Sequence, residues 1–225
     1  MRYAVYWAPS PAHPLWRAGC QWLGRDAERP GAGFPQRDAV DEPRRYGFHA
    51  TLKPPMTLRA GAAPEAFFAQ VAALAARTPR FDMPRLAVDW LSSFMALRPA
   101  EAIDASHPLR RLADACIGEL DAWREPPSEQ ALQRRLASSR LDEAHEALLR
   151  RWGYAHVFDC WRFHMTLSNR LPEDAALRQR WTQDARQHFS AALAQPLPCD
   201  TLCVFVEPSP GAPFVLARRF GLASA

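Results

Sequence analysis

The pentad Phe-His-x-Thr-Leu occurs twice in this chain, as Phe48-His49-Ala50-Thr51-Leu52 and as Phe163-His164-Met165-Thr166-Leu167. Side chains alternate along a strand, so each pentad sends its histidine and threonine to one face and three apolar residues to the other. Such a strand needs a core on one side and a polar surface on the other. The spacing downstream repeats too: Trp90 follows His49 by 41 residues, and Phe205 follows His164 by 41. A duplicated unit, folded as two lobes that each present a His/Thr pair to a shared cleft, meets these constraints.

The rest of the chain is read around these strands. Residues 2 to 8 alternate and are aromatic-rich, predicting a strand ended by Pro9 and Pro11, and a helix is expected from about Leu15 to Arg25. Residues 28 to 44, rich in Gly and Pro, predict a loop leading to a strand from Tyr46 to Lys53 that Pro54-Pro55 should stop. Pro64 to Arg77 has an apolar stripe with proline in its first turn, the pattern of an amphipathic helix. Leu86–Leu91 and Phe94–Leu97 predict a hairpin around Ser92-Ser93. From about Ser106 to Trp152 the pattern is helical, broken near Pro126-Pro127 and Ser138-Ser139. Ser139 and Asp142 suggest a capping box, and Gly153 a stop, for a helix over Leu141–Trp152. Val157–Leu167 is expected as a strand, Glu173–Leu193 as a helix, and Leu202–Val206 and Phe214–Arg218 as a final pair of strands.

Composition narrows the class. With 225 residues, 48% hydrophobic and 23% charged, the chain suits one large globular domain or two lobes with a common core, and excludes a disordered tail, a coiled coil or a collagen. A net charge of +4 admits anionic ligands without arguing for a nucleic-acid coat. Only one of the 28 basic residues is a lysine, Lys53. The five cysteines are odd in number and scattered, which argues against a disulfide framework. Cys199 and Cys203, four apart, are read as thiols on an apolar strand rather than metal ligands. With no leader-like N-terminus and no apolar run of membrane length, a cytoplasmic protein without membrane contact is expected.

Two imidazoles in one cleft can divide proton work near neutral pH, one taking a proton from a nucleophile and the other giving one to a leaving alkoxide. Threonine hydroxyls in phase with them can donate to phosphoryl oxygens that gain charge in the transition state. This chemistry suits phosphodiester cleavage without a metal or other cofactor.

On these motifs the chain resembles the two-histidine (2H) phosphoesterase superfamily, which includes RNA 2',3'-cyclic phosphodiesterases and the enzymes called 2'-5' RNA ligases. Longer stretches resemble a 2H branch associated with bacterial phosphonate-utilisation operons: Arg2 to Pro9, Tyr46 to Pro55, Pro127 to Arg135, and Arg151 through Leu167. The resemblance implies an α+β, bilobal fold with two pseudo-symmetric, mainly antiparallel sheets flanked by helices and a helical insertion between lobes. Residues 1–100 would form the first lobe, 101–153 the insertion and 154–225 the second lobe. It places His49, Thr51, His164 and Thr166 in the active cleft, with a small-molecule cyclic phosphate as substrate, an RNA end as the alternative, and no obligate protein partner. The insertion exceeds the link in minimal 2H enzymes, and is expected to cover the cleft and narrow its substrate range.

Basic residues are candidates for binding the phosphate. Lys53 is in phase with His49 and Thr51, Arg162 is in phase with His164 and Thr166, and Arg134 and Arg135 lie in a stretch matching the phosphonate-associated branch. The other Arg-Arg pairs are scattered and read as solvated faces. Tyr3 and Tyr6 fall on opposite faces of the first strand, so at most one of them faces the cleft, and a core role is expected for either. His13, His107, His145, His156 and His188 are expected as surface or packing residues. Two competing readings are a non-catalytic module that binds a cyclic phosphate or RNA end, and a metallohydrolase using His49, His164 and Asp159. The sequence leaves open which histidine is the base.

Overall fold

Central to the molecule is β1 (Arg2–Trp7), buried from Tyr3 onward because strands flank it on both sides. The computed structural model describes residues 1–138, 141–171 and 173–224. After β1 come α1 (Pro14–Leu23), α2 (Asp41–Tyr46), β2 (Ala50–Met56), α3 (Pro64–Arg77), β3 (Phe81–Asp82), and the hairpin β4 (Leu86–Leu91) and β5 (Phe94–Pro99). The helical stretch holds α4 (Pro108–Glu119), a 3-10 turn at Asp121–Trp123, α5 (Glu129–Ser138) and α6 (Glu143–Trp152). The remainder is β6 (Met165–Thr166), α7 (Ala175–Leu193), β7 (Pro198–Cys199), β8 (Thr201–Glu207) and β9 (Val215–Gly221).

The strands form a four-stranded sheet in the order β2-β1-β8-β9, a three-stranded sheet in the order β4-β5-β6, and the short pair β3-β7. Their pairings are antiparallel. The fold is α+β with the expected bilobal plan, yet each large sheet draws strands from both halves of the chain. The hairpin β4-β5 joins β6, which follows His164, while β8-β9 completes the sheet of β1 and β2. The sequence segments 1–100 and 154–225 therefore interlock. One continuous core runs through both sheets, including Trp7, Trp22, Phe48, Phe67, Phe163, Phe189 and Phe205.

Helix ends follow local chemistry. His13 and His107 each precede Pro-Leu and cap their helices, the ring Nδ1 accepting from Leu15 N–H at 3.1 Å and from Leu109 N–H at 3.2 Å. Asp142 caps α6 by accepting from His145 N–H, and Gly153 ends it at φ +71°, a left-handed conformation that suits glycine. Ser139, the other half of the suggested capping box, lies outside the described residues.

Three expectations need correction. First, β2 begins at Ala50 and continues through Pro54-Pro55 to Met56. It is an edge strand, where a missing N–H costs no ladder bond on the outer side. Second, Val157–Leu167 is largely not a strand. Phe158–Cys160 is a 3-10 turn, and only Met165 and Thr166 pair with β5. Its alternating apolar residues Val157, Trp161 and Phe163 are buried by packing rather than by a ladder. Third, the loop expected over 28–44 ends in α2, which carries Asp41 and Glu42 in its first turn and Arg44 and Arg45 in its last, matching the helix dipole.

Candidate active site

β2 and β6 are the edge strands of their sheets, and the two edges meet. The indole N–H of Trp161 donates to the Thr51 carbonyl at 3.0 Å, tying the segment before one motif to the heart of the other. Phe48, Ala50, Leu52, Phe163, Met165 and Leu167 are all buried, while His49, Thr51, His164 and Thr166 are partly exposed on the opposite face. His49, Thr51 and Thr166 line one chamber, and Thr51 and His164 line an adjoining one. The geometry thus brings the four motif residues to one cleft.

The histidines are held in the same way. His49 Nδ1 lies 2.9 Å from the Gly47 carbonyl, and His164 Nδ1 lies 2.8 Å from the Arg162 carbonyl. A carbonyl only accepts, so each Nδ1 carries a hydrogen and each Nε2 is the nitrogen left for proton exchange. His49 Nε2 is 3.4 Å from Thr51 Oγ1. Gly47 supplies its carbonyl at φ +81°, in a crowded spot where a side chain would strike Ala27.

Their surroundings differ. The His49 ring stacks on Tyr6 with centroids 3.8 Å apart, and Phe205 stands 5.9 Å away. Burial pushes the His49 imidazolium down to about 4, partly opposed by the Gly47 hydrogen bond and helped by the charge of His164. His164, with Phe94 at 5.7 Å, is also lowered from 6.5 by burial, and Arg98 and His156 act in the same direction.

The basic candidates separate. Lys53 is only 2% exposed and does not reach the cleft. Tyr6 pairs with Thr51 but Val5 pairs with Lys53, so Leu52 is an extra residue and the strand bulges there. The bulge resets the alternation, turning Lys53 inward, where Nζ donates to the Ile117 carbonyl at 3.2 Å and lies 3.7 Å from Asp121. Arg162 stands at the rim beside His164, its guanidinium donating to the Asp159 and Trp161 carbonyls. Arg135 lines the His49 chamber and donates to the Gly153 carbonyl at 3.0 Å. Arg134 turns back along its own helix to the Gln130 carbonyl at 3.4 Å and lines neither chamber.

Other cleft residues were not assigned to the site from sequence. Tyr6 is buried as expected, but it forms the floor under His49. Tyr46, Tyr154 and His156 line the chambers as well, and His156 lines both. His145 lines the second chamber and packs on His156 at 5.2 Å. The available signal was the alternation of Tyr154 and His156 just ahead of the second motif. Asp159 pairs with Arg110 at 2.9 Å, and among the described residues no three of His, Cys, Asp or Glu gather as a metal site.

A family model described as "Protein of unknown function (DUF1045)" matches residues 51–215. The chain belongs to the DUF1045 family. Two curated relatives carry the name ribose 1,5-bisphosphate phosphokinase PhnN. The one from Laribacter hongkongensis (strain HLHK9) is 42% identical over 226 residues, covering 97% of this chain and 51% of that protein. The one from Janthinobacterium sp. (strain Marseille) is 36% identical over 230 residues, covering 97% and 50%. This DUF1045 chain thus spans about half the length of the curated relatives it matches. Among solved structures it is similar to E. coli LigT complexed with phosphate, with 13% identity, a TM-score of 0.44, and coverage of 99% of this chain and 97% of that one. A structure described as a phosphoesterase matches with 11% identity, a TM-score of 0.43, and coverage of 99% and 98%. Among the described residues no helix is long and apolar enough to cross a membrane.

Proposed function

We propose that this chain is a metal-independent cyclic phosphodiesterase that hydrolyses a small phosphorylated sugar or nucleotide by two-histidine acid/base catalysis. The observation that carries this reading is the matched pair of imidazoles, each anchored through Nδ1 to the carbonyl two residues back and each accompanied by an in-phase threonine. The resemblance to the phosphonate-associated 2H branch supports an activity in phosphonate metabolism.

His49, neutral at pH 7, is the base. It takes a proton from water as the water oxygen attacks phosphorus. The bond from phosphorus to one ring oxygen breaks, and His164 gives that oxygen its proton, leaving a phosphomonoester and a free hydroxyl. Thr51 and Thr166 donate to the non-bridging oxygens, whose charge grows in the transition state.

The name ribose 1,5-bisphosphate phosphokinase is that of proteins about twice this length. A kinase phosphate loop draws on glycines followed by a lysine and a hydroxyl residue. Here the sole lysine lies in Leu52-Lys53-Pro54 and is committed to Ile117 and Asp121. That arrangement favours the diesterase reading over a kinase one.

Phosphorus NMR in EDTA, with ribosyl 1,2-cyclic phosphates and nucleoside 2',3'-cyclic phosphates offered in parallel, tests the proposal. Conversion of a cyclic phosphate signal to a monoester, lost in His164→Ala, is the expected result. Ligand-dependent shifts without conversion would instead favour a binding module.

A further inference from the structure

The chamber beside His49, about 440 Å³ in volume, is larger than a cyclic phosphate needs. Beyond the His/Thr residues it is lined by Arg2 from β1 and by Arg135, Leu141, Leu149, Tyr154 and His156. Among the described residues no aspartate or glutamate lines it. Glu207 does not line it: it is completely buried and holds Arg2 through both its oxygens, with the Arg2 Nη2 contact at 2.8 Å. Glu207 also binds Arg45 and accepts from Gly211 N–H at 3.1 Å. One buried carboxylate therefore faces two guanidiniums, and the cluster carries a surplus positive charge.

Arg2 uses Nε and Nη2 on Glu207, and its Nη1 has no partner among the described residues. Its guanidinium stands 5.6 Å from the Phe214 ring centre, and the Phe214 ring lies 6.4 Å from that of Tyr6, the floor under His49. Arg2 and Tyr6 are four residues apart on β1, about 13 Å of strand, and the long Arg2 side chain spans part of that distance. Arg135 enters the same chamber from α5, its guanidinium anchored on the Gly153 carbonyl.

We infer that this chamber is a second anion subsite, in which Arg2 and Arg135 bind a terminal phosphate carried one sugar ring away from the reacting cyclic diester. This deepens the proposed function and rests on it for the reacting half of the substrate: the preferred substrates are small cyclic phosphodiesters bearing a second phosphate. Arg2 is preorganised by Glu207 and Arg135 by Gly153, so little side-chain ordering opposes binding. The anion also offsets the surplus charge of the Arg2–Glu207–Arg45 cluster.

The test compares adenosine 2',3'-cyclic phosphate with the same nucleotide carrying a 5'-phosphate, in wild type, Arg135→Gln and Arg2→Gln. Calorimetric binding of adenosine 3'-monophosphate and adenosine 3',5'-bisphosphate runs alongside. In wild type the 5'-phosphate should raise kcat/KM and affinity at least tenfold, and in each variant both ratios should fall toward one. Arg135→Gln is the decisive variant, since Arg2 is tied to a buried carboxylate and its loss can unfold the chain. Hydrolysis with no 5'-phosphate preference in wild type, or a preference that survives Arg135→Gln, overturns the subsite and leaves the diesterase reading intact. Absence of hydrolysis with a binding preference lost in Arg135→Gln upholds the subsite and overturns the diesterase reading. Equal binding of both ligands without hydrolysis overturns both.

Discussion

Trp161 donates its indole N–H to the carbonyl of Thr51 at 3.0 Å, so the residue three before His164 holds the backbone two after His49. This bond ties together the edges of two sheets, each built from strands of both halves of the chain, next to the two strands that carry the paired histidine motifs. In Trp161→Phe the Thr51 carbonyl loses its partner and the ring its polar tip. Stability should fall by about 1–2 kcal/mol. Because small displacements of reacting groups are costly in rate, kcat should fall by about tenfold or more. Urea denaturation and steady-state kinetics on the same preparation check both, and an unchanged kcat would show that the bond does not set the catalytic spacing.

The pH dependence of kcat/KM follows from the unequal burial of the two histidines. With His49 as base, activity rises as pH climbs through its value of about 4, where the imidazolium loses its proton. With His164 as acid, activity falls as His164 deprotonates below 6.5. The free enzyme should therefore show a bell with its maximum on the acid side of neutrality. A maximum above pH 7 would contradict the lowered proton affinity of the two imidazoles.

Lys53 is a structural cation. Burial pushes its ammonium down to about 8 from 10.5, against the favourable charge of Asp121. Between pH 8 and 10.5 the unfolded chain holds a proton that the folded chain has released, so this group by itself adds stability as pH rises across that window, by on the order of 1–3 kcal/mol, against the opposite contribution of the buried thiols Cys116 and Cys203, which burial holds protonated. Lys53→Met should remove the Lys53 contribution, so that stability falls more steeply with pH than in wild type, while leaving kcat near the wild-type value. Thermal unfolding from pH 7.5 to 10.5 reads the first effect. A hundredfold fall in kcat would restore Lys53 to the phosphate site.

Gly19 lies on α1 directly against Phe48, and an added methyl would overlap the Phe48 ring. Alanine is the better helix former by about 1 kcal/mol, so the sign of Gly19→Ala decides whether packing or propensity governs this position. Overpacking should win, with a loss of about 1–3 kcal/mol. Displacing Phe48 also moves its neighbour His49, so kcat should fall as well. A variant as stable as the parent would show that the Phe48 ring has room to turn.

Local sequence determined the elements whose residues choose their own conformation. Pro64–Arg77 forms a helix because one apolar stripe and an N-terminal proline agree, and β4-β5 forms a hairpin because two short runs rich in apolar residues flank the Ser92-Ser93 turn. The same alternation put the His/Thr pairs opposite the apolar residues of each pentad. Tertiary structure decided what depends on distant partners. The bulge at Leu52 answers to the register of β1 and turns Lys53 into the core, although its position in the sequence was in phase with His49. Two prolines remain in β2 because it is an edge, and Val157–Phe163 buries its rings without joining a sheet. Tyr6, Tyr46, Tyr154 and His156 reach the cleft because separate elements pack together there. Periodicity reports which face of a segment is apolar; which neighbour covers that face is set by long-range packing.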